Sequence, residues 1–196
     1  MVPLKLSVCG VAAALMVAVL PVRAQDSADA SMQSFKKEAA GAIKGLAQTL
    51  KKELKAAMKA GGPVKAIEVC NVVAPSIAAA QSKERGLNVR RTALKLRNPN
   101  NAPDDFEVKV LEKFAADIAA GKDPKTLAYA EAVKTDDGTE LRFMKAIPTG
   151  EVCLKCHGGN VAPEVKAAIG ELYPEDQATG FKAGDLRGAF SVSKKL

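Results

Sequence analysis

Cys153, Cys156 and His157 fall within one pentapeptide, CLKCH, and His157 is the only histidine in a chain of 196 residues. Whatever fold this chain adopts must bring two thiols and its single imidazole to one point. Two thiols at this spacing can add across the two vinyl groups of a haem. The adjacent histidine is then held beneath the porphyrin as an iron ligand, which is the attachment pattern of c-type haem. Three other uses compete. A structural zinc ion needs four ligands, so Cys70 would have to be the fourth, and adjacent Cys156 and His157 make tetrahedral geometry awkward. A thioredoxin-like redox pair lacks its βαβ context here. A disulfide closing a two-residue loop contributes little stability.

The segment before the domain supports the haem reading. MVPLKLSVCGVAAALMVAVLPVRAQ has a basic start at Lys5, an apolar run from Leu6 to Leu20, and small or apolar residues at Val22 and Ala24. It reads as a secretory leader over residues 1–24, cut after Ala24, with export to the periplasm. Covalent haem attachment takes place on that side of the membrane. The apolar run is short for a retained anchor, and no later stretch is expected to cross a membrane. Cys9 lies too early in the run for a lipoprotein cysteine and is expected to leave with the leader. Losing Lys5 and Arg23 lowers the net charge from +7 to +5. The lysines are dispersed and not interleaved with aromatics, which argues against nucleic acid. A solvated surface is the ordinary use of such lysines, with an acidic redox partner or an anionic membrane surface as alternatives.

Apolar residues make up 47% of the chain and aromatics only 4%, with no Trp. The core is therefore aliphatic, or completed by a group that is not protein. Residues 25–33 are small and polar and read as a loose mature N-terminus, with one domain over 34–196. Phe35, Ala39, Ile43, Leu46, Leu50, Leu54 and Met58 recur at helical spacing, so a long amphipathic helix is expected, stopped at Gly61, Gly62 and Pro63. VKAIEVCNVVA continues as helix with Ile67, Cys70 and Ala74 on one face, and Pro75 opens another helix. LNVRRTALKL (87–96) reads as a strand and RNPNNAPDD as a loop, in which Asp104 or Asp105 caps a helix with the face Phe106, Val110 and Phe114. Residues 127–147 read as a hairpin about Asp136, Asp137 and Gly138, with Leu141, Phe143, Lys145 and Ile147 alternating with Arg142, Met144 and Ala146. A short helix at 162–172 and a closing strand at 184–194 complete an α+β domain on an antiparallel sheet with a long N-terminal helix.

One histidine cannot supply both axial ligands of a haem. The sixth position is open, or filled by Met32, Met58, Met144, Cys70 or a lysine. A Met ligand raises the reduction potential and a thiolate lowers it. Cys70 is an odd thiol in an oxidising compartment. It is either a small buried apolar residue or a thiolate ligand. Met144 is the next candidate, or a core residue of its strand. An enzyme acting at the iron would need distal acid–base groups, for which Arg91, Arg97 or a carboxylate would have to stand in.

The segments AIEVCNVVAP, RRTALKLRNPNNAPDDFE, FMKAIPTGEVCLKCHG and LYPEDQATGFKAGDLRGAFSV together resemble a bacterial family of single-haem c-type proteins with a PAS-like fold. The resemblance covers about residues 35–194. It implies a PAS-like antiparallel sheet with flanking helices and one covalent haem c, linked through Cys153 and Cys156. It also implies iron held by His157 and Cys70, with Leu96–Asn101 and Phe143–Pro148 lining the pocket. The function expected is a haem-based sensor of redox state or of a small gas ligand, signalling through an unknown protein partner as a monomer or homodimer. The alternative is a soluble low-potential electron carrier.

Overall fold

A computed structural model of the chain describes the backbone of residues 22–196, with side chains from residue 28 onward. The expected leader therefore falls almost wholly outside the described residues. Helix α1 spans Val22–Glu68 and is interrupted at Gly61 and Gly62. Gly62 has φ 69 and ψ −159, a conformation that side chains with a Cβ resist. Pro63 then sits in the first turn after the break, where its missing N–H costs nothing. The stop is where the sequence places it. The start is not, because residues 25–33 are helical rather than loose. Their Ala, Ser and Met content permits helix, and Met32 packs against the core at that end.

After the break the chain winds through a π-helical turn, Val69–Val73, directly into α2, Ala74–Arg85. Gly86, left-handed at φ 62, ends α2. The helical run Ala28–Arg85 contains an 18-residue window of mean hydropathy 1.2, apolar enough by composition to cross a membrane. This departs from the expectation that no such stretch follows the leader. The run is broken at Gly61–Gly62, however, and packs Ile67, Ala74 and Ile77 inside the domain.

Helix α3, Asp105–Ala119, is capped by Asp104, whose side chain accepts from Glu107 N, while the Glu107 carboxylate accepts from Asp104 N. Four strands follow the antiparallel order β1–β4–β3–β2, with β1 Asn88–Thr92, β2 Ala128–Thr135, β3 Gly138–Pro148 and β4 Leu186–Lys195. Both faces of the sheet are covered. Leu141 and Phe143 of β3 pack with Phe35, Ala39, Ile43 and Leu46 of α1. Met144 and Ala146 face the other way, onto Val110, Leu111 and Phe114 of α3. Each large side chain so buried contributes roughly 1.5–3 kcal/mol. This is the α+β architecture expected.

Strand β1 is shorter than read from the sequence, ending at Thr92 rather than near Leu96. At its end Gly188 of β4 comes so close that a Cβ there would lie 2.4 Å from Thr92 O. The chain turns away beyond this contact. β1 ends, β3 ends and β4 begins at the same edge, where a register shift falls between Ile147 and Pro148. The loops after β1, after β3 and before β4 therefore gather at one place. Gly188→Ala, with φ 156 and no room for a methyl group, is expected to cost about 1–3 kcal/mol of stability through overpacking. A thermal unfolding midpoint equal to wild type would refute this account of the β1–β4 crossing.

Candidate functional site

A cavity opens at that gathered end, on the α1 side of the sheet. Leu50, Leu54 and Met58 of α1 form one apolar wall, continued past the glycine break by Ala66, Ile67 and Cys70. Arg91, Thr92, Leu96 and Arg97 come from β1 and the loop after it. Ile147 of β3 and Arg187 of β4 close the sheet side. Val152, Cys153, Cys156 and His157 line the remaining wall. Residues 70, 153, 156 and 157, more than eighty positions apart in sequence at the extremes, thus share one cavity. Met58 lines it as well. Met144 does not: it is fully buried on the opposite face of the sheet. Met32 packs near the start of α1. Of the two segments expected to line the site, Leu96, Arg97 and Asn101 do so from the first, and only Ile147 does from Phe143–Pro148.

The motif is held from below. Cys153 ends a 3-10 turn, Glu151–Cys153, and helix α4, Leu154–His157, carries the rest. Gly158 follows because a Cβ there would lie 2.6 Å from Leu154 O. Helix α5, Pro163–Leu172, sets Val165 and Ile169 against Ile67 of α1, with Cys156 packed beside them. The loop 178–181 clasps the histidine. Phe181 N donates to His157 O at 3.0 Å, Gly180 N donates to Gly158 O at 3.1 Å, and the Phe181 ring stands edge-on to the imidazole at 6.2 Å.

The histidine tautomer follows from its partner. His157 Nδ1 lies 2.7 Å from Ala178 O. A carbonyl can only accept, so Nδ1 carries the proton and Nε2 keeps its lone pair. Burial, followed by the charges of Arg187 and Arg97, pushes the imidazole down to about 3. It is neutral at physiological pH, as a metal ligand must be. Burial raises the Cys70 thiol, and the nearby Arg91, Arg97 and Arg187 charges oppose that rise. Burial is likewise the main reason that the Cys156 thiol is raised.

Arg97, which the sequence offered only as a stand-in acid–base group, is the structural centre of the site. It is 9% exposed. Nε and Nη2 form a fork onto Asp176 at 3.0 Å each. Nη2 also donates to Cys156 O at 2.7 Å and Ala178 O at 3.2 Å. Arg187 was not foreseen at all. Its only sequence signal is an arginine before a glycine at the start of a strand. Its guanidinium donates to Lys95 O at 3.3 Å and stacks on Phe181.

Cys70, Cys153 and Cys156 are free thiols, each half-buried. Among the described residues no group of three or more His, Cys, Asp or Glu side chains is arranged to hold a metal ion by itself. The donor set fits a flat apolar group with two points of thiol attachment. It offers paired thiols beside a neutral imidazole, a third thiol from a separate segment, and aliphatic walls between.

The paired thiols and the neutral imidazole thus stand together at one end of the antiparallel sheet of an α+β domain. The chain belongs to the Tll0287-like family, whose profile matches residues 22–194. Among solved structures it is similar to the crystal structure of the cyanobacterial heme-protein Tll0287. Identity is 27%, the match covers 78% of this chain and 94% of that one, and the TM-score is 0.52. Comparison with curated proteins gives no match.

Replacing Arg97 with Ala leaves Asp176 buried without its cation and frees two carbonyls. The expected loss is about 3–5 kcal/mol, the cost of breaking a buried pair from one side. Denaturant unfolding measures it, and a loss below about 1 kcal/mol would contradict the central role given to Arg97.

Proposed function

We propose that this protein is a periplasmic c-type haem protein with one covalent haem, acting as a sensor of redox state or of a small gas ligand. The observation that carries the proposal is the convergence of Cys70, Cys153, Cys156 and His157 on one aliphatic cavity. Membership of the Tll0287-like family and likeness to a structure described as a heme-protein support it. Cys153 and Cys156 would hold the haem through thioether bonds. His157 would hold its iron through Nε2, the nitrogen left unprotonated by the bond to Ala178 O. Cys70 would be its other protein ligand, as thiolate. The bound group supplies a one-electron iron couple and, where a ligand leaves, a vacant coordination site.

The chain's own residues explain why sensing suits this site. A thiolate ligand is oxidisable and displaceable, and it gives iron a low potential. Cys70 sits in a π-helical turn, an irregular segment of the kind enriched at functional sites. That turn is continuous with α2, so a change at Cys70 reaches the helical layer directly. The PAS-like arrangement, a sheet with flanking helices around a ligand, belongs to the same proposal, as does the leader over residues 1–24. Beside the four donor residues, the ionisable side chains lining the cavity are arginines. Arginine stays charged, so it offers no proton for acid–base catalysis.

Low-potential electron transfer is the second reading. Val152, beside Cys153 on the cavity wall, is 54% exposed, so an apolar contact point lies next to the attachment site. Sensing ranks ahead because a carrier gains from a ligand that stays in place.

Two tests follow. Cys153→Ala with Cys156→Ala is expected to abolish haem staining on a denaturing gel, and staining at wild-type intensity would refute covalent attachment. Ferric and ferrous absorption spectra, with and without carbon monoxide, are compared for the wild type and Cys70→Ala. The wild type is expected to be low-spin and the variant to bind carbon monoxide readily. Identical spectra would remove Cys70 from the iron and move the electron-carrier reading ahead.

A further inference from the structure

Among the described residues, Arg91 and Arg187 are the two arginines with no carboxylate partner. Arg85 pairs with Glu84, Arg90 with Glu107, Arg97 with Asp176, and Arg142 with Asp104 and Glu140. Among the described residues the Arg91 guanidinium has no hydrogen-bond partner, and that of Arg187 donates only to a backbone carbonyl. Both line the cavity. They come from neighbouring antiparallel strands, β1 and β4, where Arg91 pairs in register with Phe190, three residues beyond Arg187. Carboxylates of this chain are absent from the cavity lining.

A guanidinium cannot shed its proton to escape burial. A half-buried one without a counter-charge is costly unless an anion completes it. Two such groups facing one cavity therefore mark a site for anionic oxygens. Arginine's planar fork matches a carboxylate at two points, which a lysine does not do. A haem carries two propionate carboxylates, the same number as the unpaired cations.

We propose that Arg91 and Arg187 form a carboxylate subsite that holds the two haem propionates, one guanidinium to each, an inference that rests on the haem reading above. Arg97 takes no part, because its fork is already filled by Asp176. The pair would meet the carboxylate edge of the ring with charge and a planar fork. It also places two positive charges near the iron, favouring the ferrous state.

The test uses mature holoprotein carrying covalent haem. Resonance Raman spectra of the wild type, R91Q, R187Q and the double variant read the propionate-bending band, with R85Q as a distant control. The band is expected to shift in each single variant and further in the double, and to stay put in R85Q. The double variant is expected to lose about tenfold in its preference for the ferrous state, about 59 mV lower in midpoint potential for a one-electron couple. Covalent haem with wild-type band and potential in the double variant overturns the subsite and leaves the haem reading standing. Wild-type protein without covalent haem overturns both. Should the double variant fail to mature, R91K and R187K decide. They keep the charge and lose the fork, so a shifted band supports the subsite and a wild-type band in both overturns it.

Discussion

The site hangs on one carbonyl oxygen. Ala178 O accepts from His157 Nδ1 and from Arg97 Nη2, while Arg97 also grips Asp176 and the carbonyl of Cys156. Three segments are tied at this knot: the loop after β1, the thiol–imidazole pentapeptide, and the loop before β4. None has regular structure long enough to hold itself. Gln177 N adds a bond to Leu96 O at 2.7 Å, so the backbone repeats the tie made by the side chains. The pair is buried, Nε and Nη2 of Arg97 are both engaged, and both carboxylate oxygens of Asp176 accept. That is the condition under which a buried ion pair is kept rather than replaced by apolar packing.

The same knot sets the chemistry. A histidine facing two arginines is held neutral by burial and by their charge, and its proton is pinned to the nitrogen that faces the carbonyl. The other nitrogen is left as a ready donor. Arginines arranged this way also lower the cost of an anion nearby, which bears on Cys70 and on any carboxylate that enters the cavity. The positive charge of the cavity comes from three segments, because β1, β4 and the loop between β1 and α3 each deliver one arginine to it.

Much of this was legible before the fold was known, and what was not has definite causes. The α1 face could be read because Phe35, Ala39, Ile43 and Leu46 repeat at helical spacing. Its stop at Gly61–Gly62 could be read because few other residues adopt those angles. Alternation along β3 separated Leu141, Phe143 and Ile147 from Met144, but parity does not say which face holds a site. That is why Met144 stayed a ligand candidate until α3 was seen to cover it. The early end of β1 depends on the approach of Gly188, a contact across nearly a hundred residues. The π-helical turn at Cys70 has no periodic signature at all. The pentapeptide was legible because its chemistry is local. Arg97 and Arg187 were not, because an arginine's role is set by whether a carboxylate meets it, and that is a property of the assembled chain. Helical order in residues 25–33 was missed because weak local preference was outweighed by continuity with a strong helix.

The missing side chain at Gly188 has one more effect. Thr92 and Gly188 touch through backbone atoms, and Arg91 and Arg187 are their immediate chain neighbours. The origins of the two cations are therefore fixed by a contact between main chains, which is far stiffer than one between side chains. A centre beside them that gained or lost one unit of charge would meet a field already in place. Little around it would need to rearrange, so the reorganisation energy of that change would be small. A hydrogen atom in place of a methyl group thus sets where the two cations enter the cavity.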